Sequence, residues 1–175
     1  CALRALYEEK LWDDVKVVAV NATGPIETNR LLLRHDSTHG LFNAEVEVAD
    51  GRDLVVNGDR IRTFSTYNPE EIDWGSCGVD VVLECTGKFR TRDTAGVHLK
   101  TGAKKVLISA PSKDADAMVV FGVNEGILTP DMKVVSNGSC TTNGLAPLAK
   151  ALNRRLGIVH GLMTTVHAVT NDQGL

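Results

Sequence analysis

Val79-Asp80-Val81-Val82-Leu83-Glu84-Cys85-Thr86-Gly87 opens the stretch that decides the fold. A helical pattern over Arg92 to Lys100, closed by Gly102, comes next, then Val106-Leu107-Ile108-Ser109, stopped by Ala110-Pro111. Val79 to Glu84 and Val106 to Ser109 are short apolar runs, the mark of strands buried on both faces of a parallel sheet. The same rhythm continues in both directions. Downstream, Val119 to Val123 and Lys133 to Val135 read as strands. Ser136-Asn137-Gly138-Ser139 then turns into a helix from about Cys140 to Leu156, with Gly157 as its stop, and Ile158 to Val169 reads as a long β-branched strand. Upstream, Leu3, Leu6, Tyr7 and Leu11 recur at helical spacing, and Val15 to Asn21 is another buried strand. Ile26 to Arg34 is a short helix, and Ala44 to Ala49 and Leu54 to Ser65 are strands, the second punctuated by the hairpin pair Asn57-Gly58. Strands alternating with helices predict an α/β, doubly wound (Rossmann-type) sheet, which binds nucleotides beyond the carboxyl ends of its strands.

One part of that fold is missing from the sequence. A dinucleotide-binding domain opens with a strand and a glycine loop, but no two of the 16 glycines stand two residues apart, so there is no G-x-G. The chain opens on a helix and on Cys1 rather than Met. The expectation is a truncated dinucleotide-binding domain, a piece of a longer chain, whose first strand would have paired between Val15–Val20 and Val79–Glu84.

Composition narrows the function classes. Apolar residues are 43% and charged residues 23% of the 175, the balance of a globular protein. With 19 basic and 22 acidic residues the net charge is −3, which argues against a nucleic-acid binder working through a global positive field. The apolar runs are too short for a membrane span. The four cysteines, at 1, 77, 85 and 140, fit neither a zinc pattern nor a disulfide framework. They read as free thiols of a cytoplasmic protein. His35 and His39 have the spacing of a helical ligand pair but no third ligand is evident, so no metal is expected.

The most specific stretch is Ser136-Asn137-Gly138-Ser139-Cys140-Thr141-Thr142-Asn143. It resembles the active-site segment S-N-A-S-C-T-T-N of the phosphorylating glyceraldehyde-3-phosphate dehydrogenases. The likeness continues through Leu145-Ala146-Pro147-Leu148-Ala149-Lys150 and through Gly161-Leu162-Met163-Thr164-Thr165-Val166-His167-Ala168. Asp36-Ser37-Thr38-His39-Gly40 and Lys104 to Ser112 also match, so the resemblance runs along essentially the whole chain. It implies an incomplete NAD(P)-binding domain over 1–139 and the start of an α+β catalytic domain over 140–175.

The resemblance also assigns roles. Cys140 is the nucleophile, at a helix start where the dipole and free N–H groups favour a thiolate. His167 is the base. A cysteine or histidine taken at random is more often an inert core or strand residue, and Cys1, Cys77, Cys85, His35, His98 and His160 keep that reading. Ser139 and Thr141 correspond to contacts of the attacking inorganic phosphate, and Thr170 and Asp172 to contacts of the substrate. For the cofactor, Thr86, Gly87, Ser109 and Ala110 end strands on the binding edge, Phe89 can pack on an adenine, and Asn21 ends the strand where the ribose would lie. Ala22 follows Asn21 where the family often has an acid, which implies use of NAD or NADP. The implied reaction converts D-glyceraldehyde 3-phosphate, NAD(P) and inorganic phosphate into 1,3-bisphosphoglycerate through a cysteine thioester, in a homotetramer. Alternatives are an erythrose-4-phosphate dehydrogenase, a cysteine hydrolase built on Cys140 and His167, and a non-catalytic binding module.

Overall fold

The computed structural model describes residues 1–169 and divides them between two compact units. The first comprises Cys1–Val82 and Asp93–Val106; the second comprises Leu83–Arg92 and the chain from Leu107 onward. Thr170 and Asp172 lie outside the described residues.

In the first unit, α1 (Ala2–Glu8) leads to β1 (Ala19–Asn21) and then to α2 (Ile26–Arg34), which has the bounds its sequence pattern gave. His35–Asp36 and Gly40–Leu41 form a small antiparallel pair, β2 and β3. His35 is therefore in a strand and not in a helical ligand pair. The strands β4 (Val46–Ala49), β5 (Asp53–Val56) and β6 (Asp59–Phe64) form an antiparallel meander, and β1 joins it parallel to β6. The sheet order is β1-β6-β5-β4. Asn57 and Gly58 both have positive φ, 50° and 89°, as the two-residue hairpin between β5 and β6 requires. The long run Leu54–Ser65 is thus two strands folded at that pair.

Two apolar clusters hold this unit. Phe42, Val46, Leu54, Val56 and Ile61 pack with Leu3, Tyr7 and Trp12, whose rings stack at 4.1 Å. Ile72, Trp74, Val79, Val82 and Ala103 form the other cluster, with Ala19 and Phe64 against it. The buried Trp74 indole N–H donates to His98 Nδ1 at 3.0 Å, which satisfies two polar groups inside this core. The helical run 92–100 is two single turns, α3 (Arg92–Ala95) and α4 (Val97–Lys100).

The second sheet has the order β7 (Val81–Glu84), β8 (Lys105–Ile108), β10 (Val134–Ser136), β9 (Ala117–Met118). The last pair is parallel. The parallel pairs and interspersed helices make this a Rossmann-type α/β chain. α5 (Cys140–Leu156) follows β10 and ends at Gly157, φ 75°, as its sequence indicated.

Four strand expectations need correction. Val119–Val123 is not a strand: the strand here is the shorter β9, Ala117–Met118, and 121–124 form a turn in which Val123 N and Asn124 N donate to the Val120 carbonyl. Of Val15–Asn21 only Ala19–Asn21 is a strand, and Val15 and Val18 are exposed. β7 alternates instead of being buried on both faces: Val82 and Glu84 are covered while Val81 and Leu83 are about half exposed. Residues 158–169 form no strand and lie exposed, because no described strand lies alongside to exchange backbone hydrogen bonds with them. None of the described helices is long and apolar enough to cross a membrane.

Candidate active site

The turn before α5 is built by its own polar residues. Ser136, fully buried at the end of β10, donates from Oγ to the Ala110 carbonyl at 2.7 Å and accepts from Gly138 N at 3.1 Å. Asn137 N donates to the Ile108 carbonyl at 2.9 Å. Gly138 then takes φ 71°, a conformation that disfavours any side chain, so glycine suits this position. Ser139 is the N-cap: its Oγ accepts from Thr142 N at 3.0 Å and lies 2.7 Å from Thr142 Oγ1. Asn143 Nδ2 donates back to the Asn137 and Ser139 carbonyls. Cys140 is thereby fixed as the first residue of a 17-residue helix.

Cys140 Sγ lies 3.0 Å from His167 Nε2, although 27 positions separate the two in sequence. His167 Nδ1 lies 2.7 Å from the Ala168 carbonyl. A carbonyl can only accept, so Nδ1 carries the proton and donates. This leaves Nε2 facing the sulfur. The hydrogen bond from His167, then the Thr141 backbone N–H, hold the Cys140 thiol below its ordinary range; the imidazole charge and the Thr141 hydroxyl act in the same direction. Conversely, the Ala168 carbonyl and then the Cys140 sulfur raise His167 above its ordinary value. The two shifts together favour a thiolate–imidazolium pair at an exposed position. Such a pair can attack a carbonyl carbon and then exchange a proton with the adduct.

β7 and β8 end at Cys85-Thr86-Gly87 and at Ser109-Ala110. Ser109 N donates to the Glu84 carbonyl at 3.0 Å, which brings the segments after the two strands side by side. Thr86 and Ser109 are exposed, and Gly87, φ 73°, has open space where a Cβ would project. Phe89 is half-buried. Buried Glu84 accepts at Oε1 from Thr86 N, 2.7 Å away, and from the Thr86 hydroxyl. In the other unit, Asn21 spends its side chain on Thr66, donating to its carbonyl at 3.0 Å and accepting from its N–H at 3.1 Å. The Asn21 amide therefore ties the end of β1 to the loop after β6.

Sequence reading thus picked out Cys140, His167 and the strand ends, and it missed Ser136, Asn143 and Glu84. The first two stand inside the quoted motif, where only their bonds reveal that they shape the turn. Elsewhere, the Cys1, Asp36 and His39 ligand atoms lie within 4.8 Å of one another, a grouping that the spacing His35/His39 did not indicate. Asp36 Oδ1 already accepts from the backbone N–H groups of Thr38 and His39, which with the His39 ring hold its pKa down at about 2.

Residues 1–92 match the family described as glyceraldehyde 3-phosphate dehydrogenase, NAD binding domain, and residues 139–175 match the C-terminal domain of the same family. A glyceraldehyde-3-phosphate dehydrogenase of Cupriavidus necator, plasmid-encoded, is 55% identical over 99% of this chain and 52% of its own. Those of Pseudomonas aeruginosa and Geobacillus stearothermophilus are 55% and 52% identical, over 99% and 91% of this chain. The chain spans about half the length of the curated relatives it matches.

Proposed function

The chain belongs to the glyceraldehyde-3-phosphate dehydrogenase family, and we propose that the whole protein oxidises D-glyceraldehyde 3-phosphate to 1,3-bisphosphoglycerate with inorganic phosphate as co-substrate. The observation that carries this reading is the 3.0 Å approach of His167 Nε2 to Cys140 Sγ at a helix start. The Cys140 thiolate adds to the aldehyde carbon, and the His167 imidazolium gives its proton to the resulting oxyanion. His167 takes that proton back as the hydride on the same carbon leaves for the dinucleotide, which turns the adduct into a thioester. A phosphate oxygen then attacks the acyl carbon and expels the thiolate. Ser139, Thr141, Thr170 and Asp172 serve the two phosphate groups. In support, Ser139 and Thr141 flank Cys140 at the N-terminal turn, where N–H groups favour anions.

The family's NAD-binding match and the open space at Gly87 fit a dinucleotide held by Thr86, Gly87, Phe89, Ser109 and Ala110. NAD, when bound, supplies the hydride acceptor. Ala22 lacks the carboxylate that would repel a 2′-phosphate, so the protein accepts NADP as well. Ala22→Asp is expected to shift the ratio of kcat/KM values toward NAD; an unchanged ratio would reject this role. The start of the second family match supports a domain junction at 139/140. The free thiols among the described residues suit a reducing cytoplasm, and a homotetramer completes the reading.

Cys140→Ser tests the mechanism in the full-length protein. A hydroxyl is far less ionised than this thiol at neutral pH, so a loss of turnover of about 10³-fold or more is expected, with NAD binding retained. Turnover near the wild-type rate, or thioester hydrolysis that needs no dinucleotide, would overturn it.

A further inference from the structure

Glu84 is a buried carboxylate that the proposed chemistry leaves without a task. It ends β7 on the covered face and is 4% exposed, while Thr86, two residues on, is exposed. Removing a carboxylate from water is costly unless it gains hydrogen bonds of comparable strength. Glu84 Oε1 gains two from the same residue, the Thr86 N–H and the Thr86 hydroxyl. The hydroxyl in turn accepts from Lys88 N at 3.1 Å. Donors and acceptors therefore run in one direction, from Lys88 N–H through Thr86 Oγ1 to the carboxylate. Gly87 turns the chain through φ 73° between them. The main chain of Glu84 is committed to the same place, because its carbonyl accepts from Ser109 N. A buried carboxyl group thus fastens an exposed turn from below, with open space on the side of Gly87 where a Cβ would project.

We propose that Glu84 is a positioning residue that sets the Thr86-Gly87-Lys88 turn for the dinucleotide. This rests on the reading that the turn receives NAD. Glu84 touches no reacting atom. It keeps the Thr86 and Gly87 backbone in the conformation the cofactor meets, so the binding step does not have to order it.

The test uses the full-length protein, with NAD as the probe. Glu84→Ala removes the acceptor of both bonds, and the NAD dissociation constant and KM are expected to rise about tenfold, the effect of losing roughly one or two hydrogen bonds. At saturating NAD, kcat stays within about twofold, since Cys140 and His167 are untouched. Glu84→Gln keeps an acceptor oxygen and restores most of the affinity. Glu84→Asp withdraws the carboxylate by one methylene and does not. This Gln/Asp pair carries the test if the alanine variant fails to fold. Equal NAD affinity in the Gln and Asp variants, or losses of kcat and affinity that track thermal stability, would overturn the assignment. Wild-type protein that binds no NAD would instead reject the functional reading beneath it.

Discussion

A sulfur and an imidazole nitrogen 3.0 Å apart should titrate as one unit. Cys140 is lowered and His167 raised, so the ion pair exists from the lowered thiol value up to the raised imidazole value. The iodoacetamide rate at Cys140 should therefore rise and level off below about pH 8.5, the ordinary thiol value. His167→Gln should move that inflection upward by withdrawing the largest contribution, without restoring a free thiol, because the Thr141 N–H still faces the sulfur. Rate–pH profiles with mass-spectrometric assignment would show this, and an unshifted profile in His167→Gln would refute the pairing. Both partners were legible in the sequence because each lies in a motif. Asn21 was legible as a position but not in its role. Nothing in Asn21-Ala22-Thr23 tells that the amide turns back onto Thr66.

Among the elements, the close approach of Gly75 and Gly102 makes a sharp demand on sequence. A Cβ on Gly102 would stand 2.5 Å from the Gly75 N and Cα, and its φ is already 107°. Both contacts are to backbone, so no side chain can swing aside. Gly102→Ala should destabilise the chain by about 2–5 kcal/mol, combining overpacking with a strained backbone. Gly58→Ala, at φ 89° but in open space, should cost only about 1–2 kcal/mol. Urea midpoints of the two variants would separate crowding from strain, and equal losses would refute the steric account. Helices were the best-read elements. α2 and α5 have caps or stops written next to them, Pro25 and Ser139 at one end and Gly157 at the other. Strands read less well, since a β-branched run such as Ile158–Val169 becomes a strand only beside a partner, and the partner is not local information.

At the scale of the molecule, β1 ends one sheet and β7 ends the other, so among the described strands each has one unpaired edge. Both edges carry half-exposed apolar residues nearby, Val18 for β1 and Val81 and Leu83 in β7. α5 adds a stripe of its own, with Leu145, Leu148, Leu152 and Leu156 all exposed at helical spacing. The 175-residue chain on its own is therefore expected to self-associate at micromolar concentration. Light scattering and sedimentation would show this, and a stable monomer would contradict it. The α/β alternation made the fold class legible, yet the division into units was not, because it follows contacts and no composition change marks Val82 or Val106.

The Asn57-Gly58 hairpin also bears on how the molecule ages. Asn-Gly is the pair most prone to lose ammonia, when the glycine nitrogen attacks the asparagine side-chain carbonyl carbon and a succinimide forms. Here the side-chain oxygen of Asn57 accepts from Glu45 N at 2.9 Å, and Asn57 N donates to the Glu45 carbonyl at 3.0 Å. While these hold, the carboxamide cannot rotate into the path of Gly58 N. Each opening of the hairpin releases it. Deamidation at Asn57 then accumulates as a chemical record of time spent unfolded, one added negative charge per event on a chain whose formal net charge is −3.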